Sequence, residues 1–97
     1  MQYKVHLAIQ IIPLNSKIHP YEIIDKAIEE IDRAGLRYEV GPMETVIEGQ
    51  YEQVMEVAKR AQQACLNSGA NELVVNMKLH LRKDGDVTWE EKMKKYS

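Results

Sequence analysis

His6, His80 and Cys65 are the side chains whose chemistry could hold a metal ion or attack a substrate. The two histidines occupy matching positions on two predicted strands, where together with a carboxylate they could ligate zinc. Neither of the close ligand spacings H-x-x-x-H and C-x-x-C occurs, and isolated histidines more often make hydrogen bonds at an interface. We therefore predict no metal site.

The other nucleophiles fit no catalytic pattern. Cys65 shares a predicted helical face with Val54, Ala58 and Ala61, which indicates a small buried side chain. The serines lie in predicted loops or at the end of the sequence, outside any G-x-S-x-G turn, and no G-x-x-x-x-G-K phosphate loop occurs. Because no catalytic set is complete, we predict that the protein is not an enzyme.

Two periodicities predict the elements that position these residues. Alternation of apolar and polar residues predicts strands over residues 3–11, 36–40, 43–47 and 73–82. Apolar residues at helical spacing predict two long helices and a short one, over residues 20–34, 50–67 and 89–96. We expect Pro13 to end the first strand and Gly35 to terminate the first helix. Thr88 and Glu91 predict a capping box for the last helix.

The order of these elements predicts an α+β fold, a ferredoxin-like βαββαβ sandwich with a short C-terminal helix, as a single domain over residues 1–97. We expect the fourth strand beside the first, the second strand at the far edge, and the first and third strands central and parallel. Both long helices should cover the apolar residues of the two longest strands, Val5, Leu7, Ile9, Val75, Met77 and Leu79. The other face is expected to stay uncovered and to invite self-association.

Composition limits the function and the location of this domain. The 97 residues carry a formal net charge of -2, so no basic excess is available for a nucleic-acid backbone. No apolar run reaches the roughly 18 residues of a membrane span, and the first residues do not resemble a secretion signal. A single cysteine cannot form a disulfide within the chain, which favours a reducing compartment. We expect a cytoplasmic protein with no nucleic-acid or membrane partner.

One segment resembles a known family. Residues 35–49 read GLRYEVGPMETVIEG, which closely resembles the signature of the small thiamine-binding protein family in the YkoF-like superfamily. The resemblance extends to the Ile-Ile-Pro end of the first strand, to the YEQVM start of the second helix, and to the tail VTWEEKMKKYS. It implies a ferredoxin-like fold, dimers that pair into tetramers, and binding of thiamine or its pyrimidine portion near subunit interfaces, with no cofactor besides this ligand.

The resemblance points first to Thr45 and Glu48 as ligand-binding residues. Threonine offers a donor and an acceptor, and glutamate can accept from an aminopyrimidine amine or face a thiazolium cation. Alternatively, Thr45 fills a strand position and Glu48 complements the dipole of the following helix. A straight strand would direct the two side chains to opposite faces, so a shared site needs a bulge or the strand's end between them.

Three further residues are weaker candidates. Tyr38 could stack on a flat heterocycle, although its register with Leu36 and Val40 favours core packing. Gln10 and Asn76 lie on the predicted uncovered face, as interface polar groups first and as ligand donors second.

The last predicted helix has an apolar side and a basic side. Trp89, Met93 and Tyr96 are expected to dock on the protein's own subunit or on a neighbour. The basic side is interpreted as a solvated face that suits the helix C-terminus, formed by Lys92, Lys94 and Lys95.

The resemblance implies a non-enzymatic binder of thiamine or its hydroxymethylpyrimidine portion, acting as a carrier, buffer or sensor at sites built where subunits meet, and the absence of a complete catalytic set agrees with this. The alternative is an oligomeric regulatory or scaffold module that binds another small metabolite or a protein partner. Free thiamine is expected to bind better than its diphosphate, because Glu44 and Glu48 lie in the signature and no phosphate loop is present.

Overall fold

The structure, a computed structural model, describes residues 2–96. In chain order its elements are β1 (Lys4–Leu14), α1 (Pro20–Arg33), β2 (Arg37–Val40), β3 (Thr45–Gln50), α2 (Tyr51–Asn67), β4 (Glu72–His80) and α3 (Trp89–Met93), which a 3-10 turn continues over Lys94–Tyr96. The described strands form one antiparallel sheet in the order β2-β3-β1-β4. The predicted ferredoxin-like α+β fold with a short C-terminal helix is confirmed.

The predicted strand order is confirmed, but the predicted direction of the central pair is wrong. β1 and β3 are adjacent and antiparallel, with Leu7 opposite Ile47. The connections explain this direction. The crossover through α1 makes β2 run parallel to β1, and the hairpin between β2 and β3 then reverses the chain.

β1 is longer than predicted, because it continues through Pro13 to Leu14. β3 pairs with β1 only as far as Ile9. After Ile9, the described part of the sheet pairs β1 with β4 alone. A proline lacks the N–H group of a ladder hydrogen bond and is tolerated where one side of a strand carries no partner.

α1 and α2 cover one face of the sheet, here called the covered face, and enclose the core. Val5, Leu7 and Ile9 of β1 are buried beneath them, as predicted. The helices contribute buried residues at helical spacing, namely Ile23, Ala27, Ile31, Val54, Val57, Ala58, Ala61 and Cys65. Burial raises the pKa of the Cys65 thiol to about 11, so this cysteine is a neutral core residue, as predicted.

The predicted core residues of β4 are less well covered. Val75 is half-buried, whereas Met77 and Leu79 are 42% and 37% exposed. Their register places all three on the covered face. Because α2 packs mainly over β1 and β3, the edge strand β4 extends beyond the helices.

Local capping explains the bounds of α1. The Tyr21 N–H donates to Nδ1 of His19 at 3.1 Å, and Pro20 occupies the first helical position, where its missing N–H costs nothing. Gly35 follows the helix with a φ of 73°, which favours glycine and ends the helix as predicted.

α3 folds back onto the opposite face of the sheet, here called the open face. The Val87 N–H donates to the carbonyl of Lys4 at 3.0 Å, and the Lys4 N–H donates to Asp86 at 2.8 Å. Thr88 and Glu91 form the predicted capping box, with backbone to side-chain hydrogen bonds of 3.0 and 3.3 Å. The expectation of an uncovered face is therefore wrong at the end where α3 lies. No helix within residues 2–96 is both long and apolar enough to cross a membrane.

Candidate functional site

A row of polar residues crosses the open face, one residue on each strand and all in register: Arg37, Glu48, His6 and His80. α3 begins over this row with Trp89. The Trp89 ring lies 6.0 Å from the His6 ring between centroids, and its centroid lies 5.4 Å from the guanidinium carbon of Arg37. The row therefore anchors the C-terminal helix to the sheet.

Glu48 is the centre of this anchor, although it is a carboxylate that is only 7% exposed. Its Oε1 atom forms hydrogen bonds of 2.9 Å with Nε2 of His6 and of 2.7 Å with the N–H group of Trp89. A buried charged group requires such partners, because burial without them costs several kcal/mol. Glu48 thus ties β3 to both β1 and α3.

Two ion pairs hold α3 from its sides. Arg37 pairs with Glu90, and this hydrogen bond raises the pKa of Arg37 and lowers that of Glu90. Arg82 donates two hydrogen bonds of 2.8 and 3.0 Å to Glu91, which lower the pKa of that carboxyl to about 2. Exposed pairs of this kind are screened by solvent, so each contributes little to global stability but fixes the position of the helix.

A cleft of about 360 Å³ opens beside α3 on the open face. Its floor consists of Ala8 and Val46, which lie opposite each other on β1 and β3. The walls come from β1, from β4, from α3 and from the loop before β3, and consist of His6, Glu44, Lys78, Leu79, His80, Trp89, Lys92 and Met93. This size, with an apolar floor and a few polar groups, is typical of small-molecule sites.

A salt bridge neutralises one carboxylate of the cleft. The Lys78 Nζ atom lies 3.1 Å from Oε2 of Glu44. Lys78 stands on β4 and Glu44 immediately precedes β3, so the pair spans the strand β1 that lies between them. The small side chain of Ala8, directly opposite Lys78, leaves room for this bridge.

The Lys92 ammonium and the His80 imidazole lie on one side of the cleft. The pKa of His80 is lowered, chiefly by the positive charge of Lys92. The pKa of Lys92 is lowered by burial. Lys92 is exposed, as expected of a solvated face, and it also lines the cleft.

Beyond the cleft, the open face becomes less polar. The Asn76 amide donates to Oε1 of Gln10 at 3.2 Å. The next pair in register is Ile12 and Val74, which are 37% and 43% exposed. This end of the face presents apolar side chains to its surroundings.

A sequence profile of the thiamine-binding protein family matches residues 7–97. The chain belongs to this family. The family predicted from the signature is thereby confirmed, and the match includes all residues that line the cleft except His6.

Relatives in sequence and structure agree with this assignment. A UPF0045 protein of Clostridium perfringens is 38% identical over 91 residues, which cover 94% of this chain and 95% of the relative. A DUF77 domain of unknown function from Bacillus cereus has a TM-score of 0.94 at 41% identity, covering 98% of this chain and 91% of that one. A Thermotoga maritima protein, to which a role in thiamine biosynthesis or salvage is provisionally assigned, has a TM-score of 0.86 at 34% identity, covering 97% and 99%.

The predicted ligand-binding residues divide between the two faces. The open face holds Glu48 at the α3 anchor, and it also holds Gln10 and Asn76 next to the cleft. Thr45 and Tyr38 lie on the covered face. β3 pairs with β1 in a regular register from Thr45 onward, so no bulge brings Thr45 and Glu48 to one site.

Thr45 and Tyr38, the two candidates on the covered face, lie in surroundings typical of residues that stabilise the fold. Thr45 is 7% exposed. Tyr38 packs against the core, and its hydroxyl donates to Asp32 at 2.8 Å, which raises the pKa of Tyr38. This matches the core packing that its register favoured.

Sequence reasoning did not place Trp89, Lys92 and Val46 at a ligand site. A usable signal was the spacing of Trp89, Lys92 and Met93 at i, i+3 and i+4, which sets all three on one side of a helix. The periodicity could not reveal that this side faces the sheet. Within residues 2–96, no three His, Cys, Asp or Glu side chains are grouped in a way that could hold a metal ion.

Proposed function

We propose that this protein binds thiamine, or its hydroxymethylpyrimidine portion, in the cleft of the open face without catalysing a reaction on it. The observation that carries the proposal is the cleft itself, in which aromatic and apolar side chains meet a few polar groups in a member of the thiamine-binding family. The provisional thiamine role of the Thermotoga maritima neighbour supports the same ligand class.

The cleft offers contacts that suit a flat, polar heterocycle. Ala8 and Val46 supply an apolar floor, and Trp89 and His6 supply aromatic surfaces against which a pyrimidine ring could pack. The Glu44 carboxylate, at the edge of this floor, could accept a hydrogen bond from the ring amine. Gln10 and Asn76 extend the polar rim on the same face and stay candidate ligand donors.

The same surroundings support binding over catalysis. None of the described residues that line the cleft carries a hydroxyl or a thiol, which are the common nucleophiles of small-molecule hydrolases. Cys65 is buried in the core among α2 and α1 residues. A carrier, buffer or sensor of thiamine in the cytoplasm is the function that fits this arrangement best.

Titration with thiamine tests this proposal, and the position of Trp89 provides the readout. Because Trp89 is the only tryptophan in the sequence and lines the cleft, thiamine should change its fluorescence with the same midpoint that calorimetry gives for binding. Ala8→Leu fills the floor and should weaken binding at least about tenfold, which corresponds to about 1.4 kcal/mol.

Ala64→Leu adds the same bulk on α2, away from the open face, and serves as the matched control. Its thiamine affinity should equal that of the parent protein. An absence of thiamine binding at millimolar concentration would overturn the proposal and favour the regulatory or scaffold alternative.

We further propose that the apolar end of the open face pairs with a second copy, which would place ligand sites beside subunit interfaces in dimers and tetramers. Ile12 and Val74 support this proposal because a pair of exposed aliphatic side chains next to a sheet edge favours association. Light scattering should give a multiple of 11.2 kDa. Val74→Lys should yield smaller species, whereas Val40→Lys at an exposed position of β2 should not. A monomer at every concentration would contradict this part.

A further inference from the structure

The acidic and the basic side chains at the cleft differ in how far they are paired within the protein. The carboxylate that lines it, Glu44, pairs with Lys78, and the nearby Glu48 accepts from Trp89 and contacts His6. Both carboxylates therefore already have partners within the protein. Any organic cation that enters would have to replace an existing interaction.

The Lys92 ammonium, on the other side of the cleft, is not paired in this way. Among residues 2–96, no carboxylate lies within the 4.0 Å ion-pair distance of the Lys92 ammonium. The neighbouring Arg82 is committed to Glu91 through two hydrogen bonds. Lys92 and His80 both line the cleft. The cleft thus combines an imidazole with an ammonium that has no carboxylate within ion-pair distance among the described residues.

We propose that Lys92 and His80 bind the phosphate group of a phosphorylated ligand, so that the cleft prefers a phosphomonoester of thiamine or of its pyrimidine alcohol to the free alcohol. This inference rests on the proposed function and names the substrate class of the same site. An ammonium beside an imidazole is suited to a phosphate, which offers several acceptor oxygens and a negative charge. The phosphate would lie on the Lys92 side while the ring lies on the Ala8 and Val46 floor.

This inference concerns a monophosphate, whereas the expectation drawn from sequence compared free thiamine with its diphosphate and was based on Glu44 and Glu48. Those carboxylates contact other protein groups in the folded chain, and the exposed Lys92 lies at the cleft. Contacts between residues distant in sequence determine which charged side chains are paired in the folded protein. The proposed ligand preference follows from the charges that the folded cleft presents.

Calorimetric titration of the full chain with thiamine and with thiamine monophosphate tests the proposal. We expect the monophosphate to bind at least about tenfold more tightly, the range for a hydrogen bond to a charged group. Lys92→Gln should remove most of this preference, and Lys92→Arg should retain it. The matched control is Lys95→Gln, in the same C-terminal segment but next to the Tyr96 ring, which should keep the full preference.

The outcomes distinguish failure of the phosphate-binding proposal from failure of the thiamine-binding proposal. If thiamine and its monophosphate bind equally, or if thiamine binds more tightly, the phosphate site is refuted while thiamine binding stands. If Lys92→Gln keeps the full preference, the phosphate lies elsewhere and the assignment of Lys92 and His80 is wrong. If neither compound binds the parent protein, both proposals fail.

Discussion

The covered face and the open face are built from alternate residues of the same strands, yet they are buried by different means. Ile47 and Glu48 are neighbours on β3, and they are 0% and 7% exposed. Ile47 is enclosed by apolar residues beneath the helices. Glu48 is enclosed by α3 and held by hydrogen bonds to His6 and Trp89. One strand therefore supplies stability on one side and a polar site on the other.

The largest effect should come from emptying the covered face. Ile47→Ala should lower the free energy of unfolding by about 2 to 5 kcal/mol, because it removes buried methyl groups and leaves a cavity. Val46→Ala, one residue earlier on the half-buried cleft floor, should cost less than about 1 kcal/mol. Urea unfolding of both variants measures this difference. Equal losses would show that the two faces contribute alike.

A smaller loss is expected from breaking the α3 anchor on the open face. Glu48→Ala should cost about 1.5 to 3 kcal/mol, since it removes a charged acceptor and leaves His6 and the Trp89 N–H without their partner. Trp89 emission should shift to longer wavelength as α3 loosens. Glu39→Ala removes a carboxylate from an exposed position on β2 and is the control, with little effect on either measurement. Unchanged emission in Glu48→Ala would show that α3 is held by other contacts.

The smallest effect concerns the acid dependence of the α3 contacts. The pKa of Glu91 falls from 4.5 to about 2, mainly through the hydrogen bonds from Arg82. A lowered pKa stabilises the folded form above the ordinary value, and this contribution is lost as pH falls from about 4.5 towards 2. Glu91→Gln should therefore show a weaker change in Trp89 emission over this interval than the parent protein does.

Far-UV circular dichroism over the same pH interval provides a second signal to compare with Trp89 emission. Because the covered face is held by apolar packing, the helical signal of α1 and α2 should change less over the same interval than Trp89 emission. If the acid profiles of Glu91→Gln and the parent protein coincide, the Arg82 pair does not position α3.

The covered face could be predicted from sequence because its pattern is local and periodic. The alternation through Val5, Leu7 and Ile9 and the helical stripes identify core residues without knowledge of their partners. Gly35 and the Thr88 capping box likewise depend on a few adjacent residues. The family signature supplied the ligand class, which no periodicity contains.

The open-face site could not be predicted in the same way, because it depends on contacts between distant residues. Glu48 meets Trp89, and Glu44 meets Lys78, across long separations along the chain. Which side of the sheet receives α3 depends on how the segment after β4 returns to Lys4. The period-two rule did indicate that Thr45 and Glu48 face opposite ways, and the regular register of β3 bears this out.

Side-chain NMR during titration with thiamine tests most directly whether the open-face cleft is the ligand site. The account predicts that the methyl signals of Ala8 and Val46 and the indole N–H of Trp89 shift on binding. The methyl signals of Thr45 and Ile47, which flank Val46 on β3 but lie on the covered face, should stay in place. Shifts confined to Thr45, Ile47 and the neighbouring Tyr38 would place the ligand on the covered face and contradict the central claim.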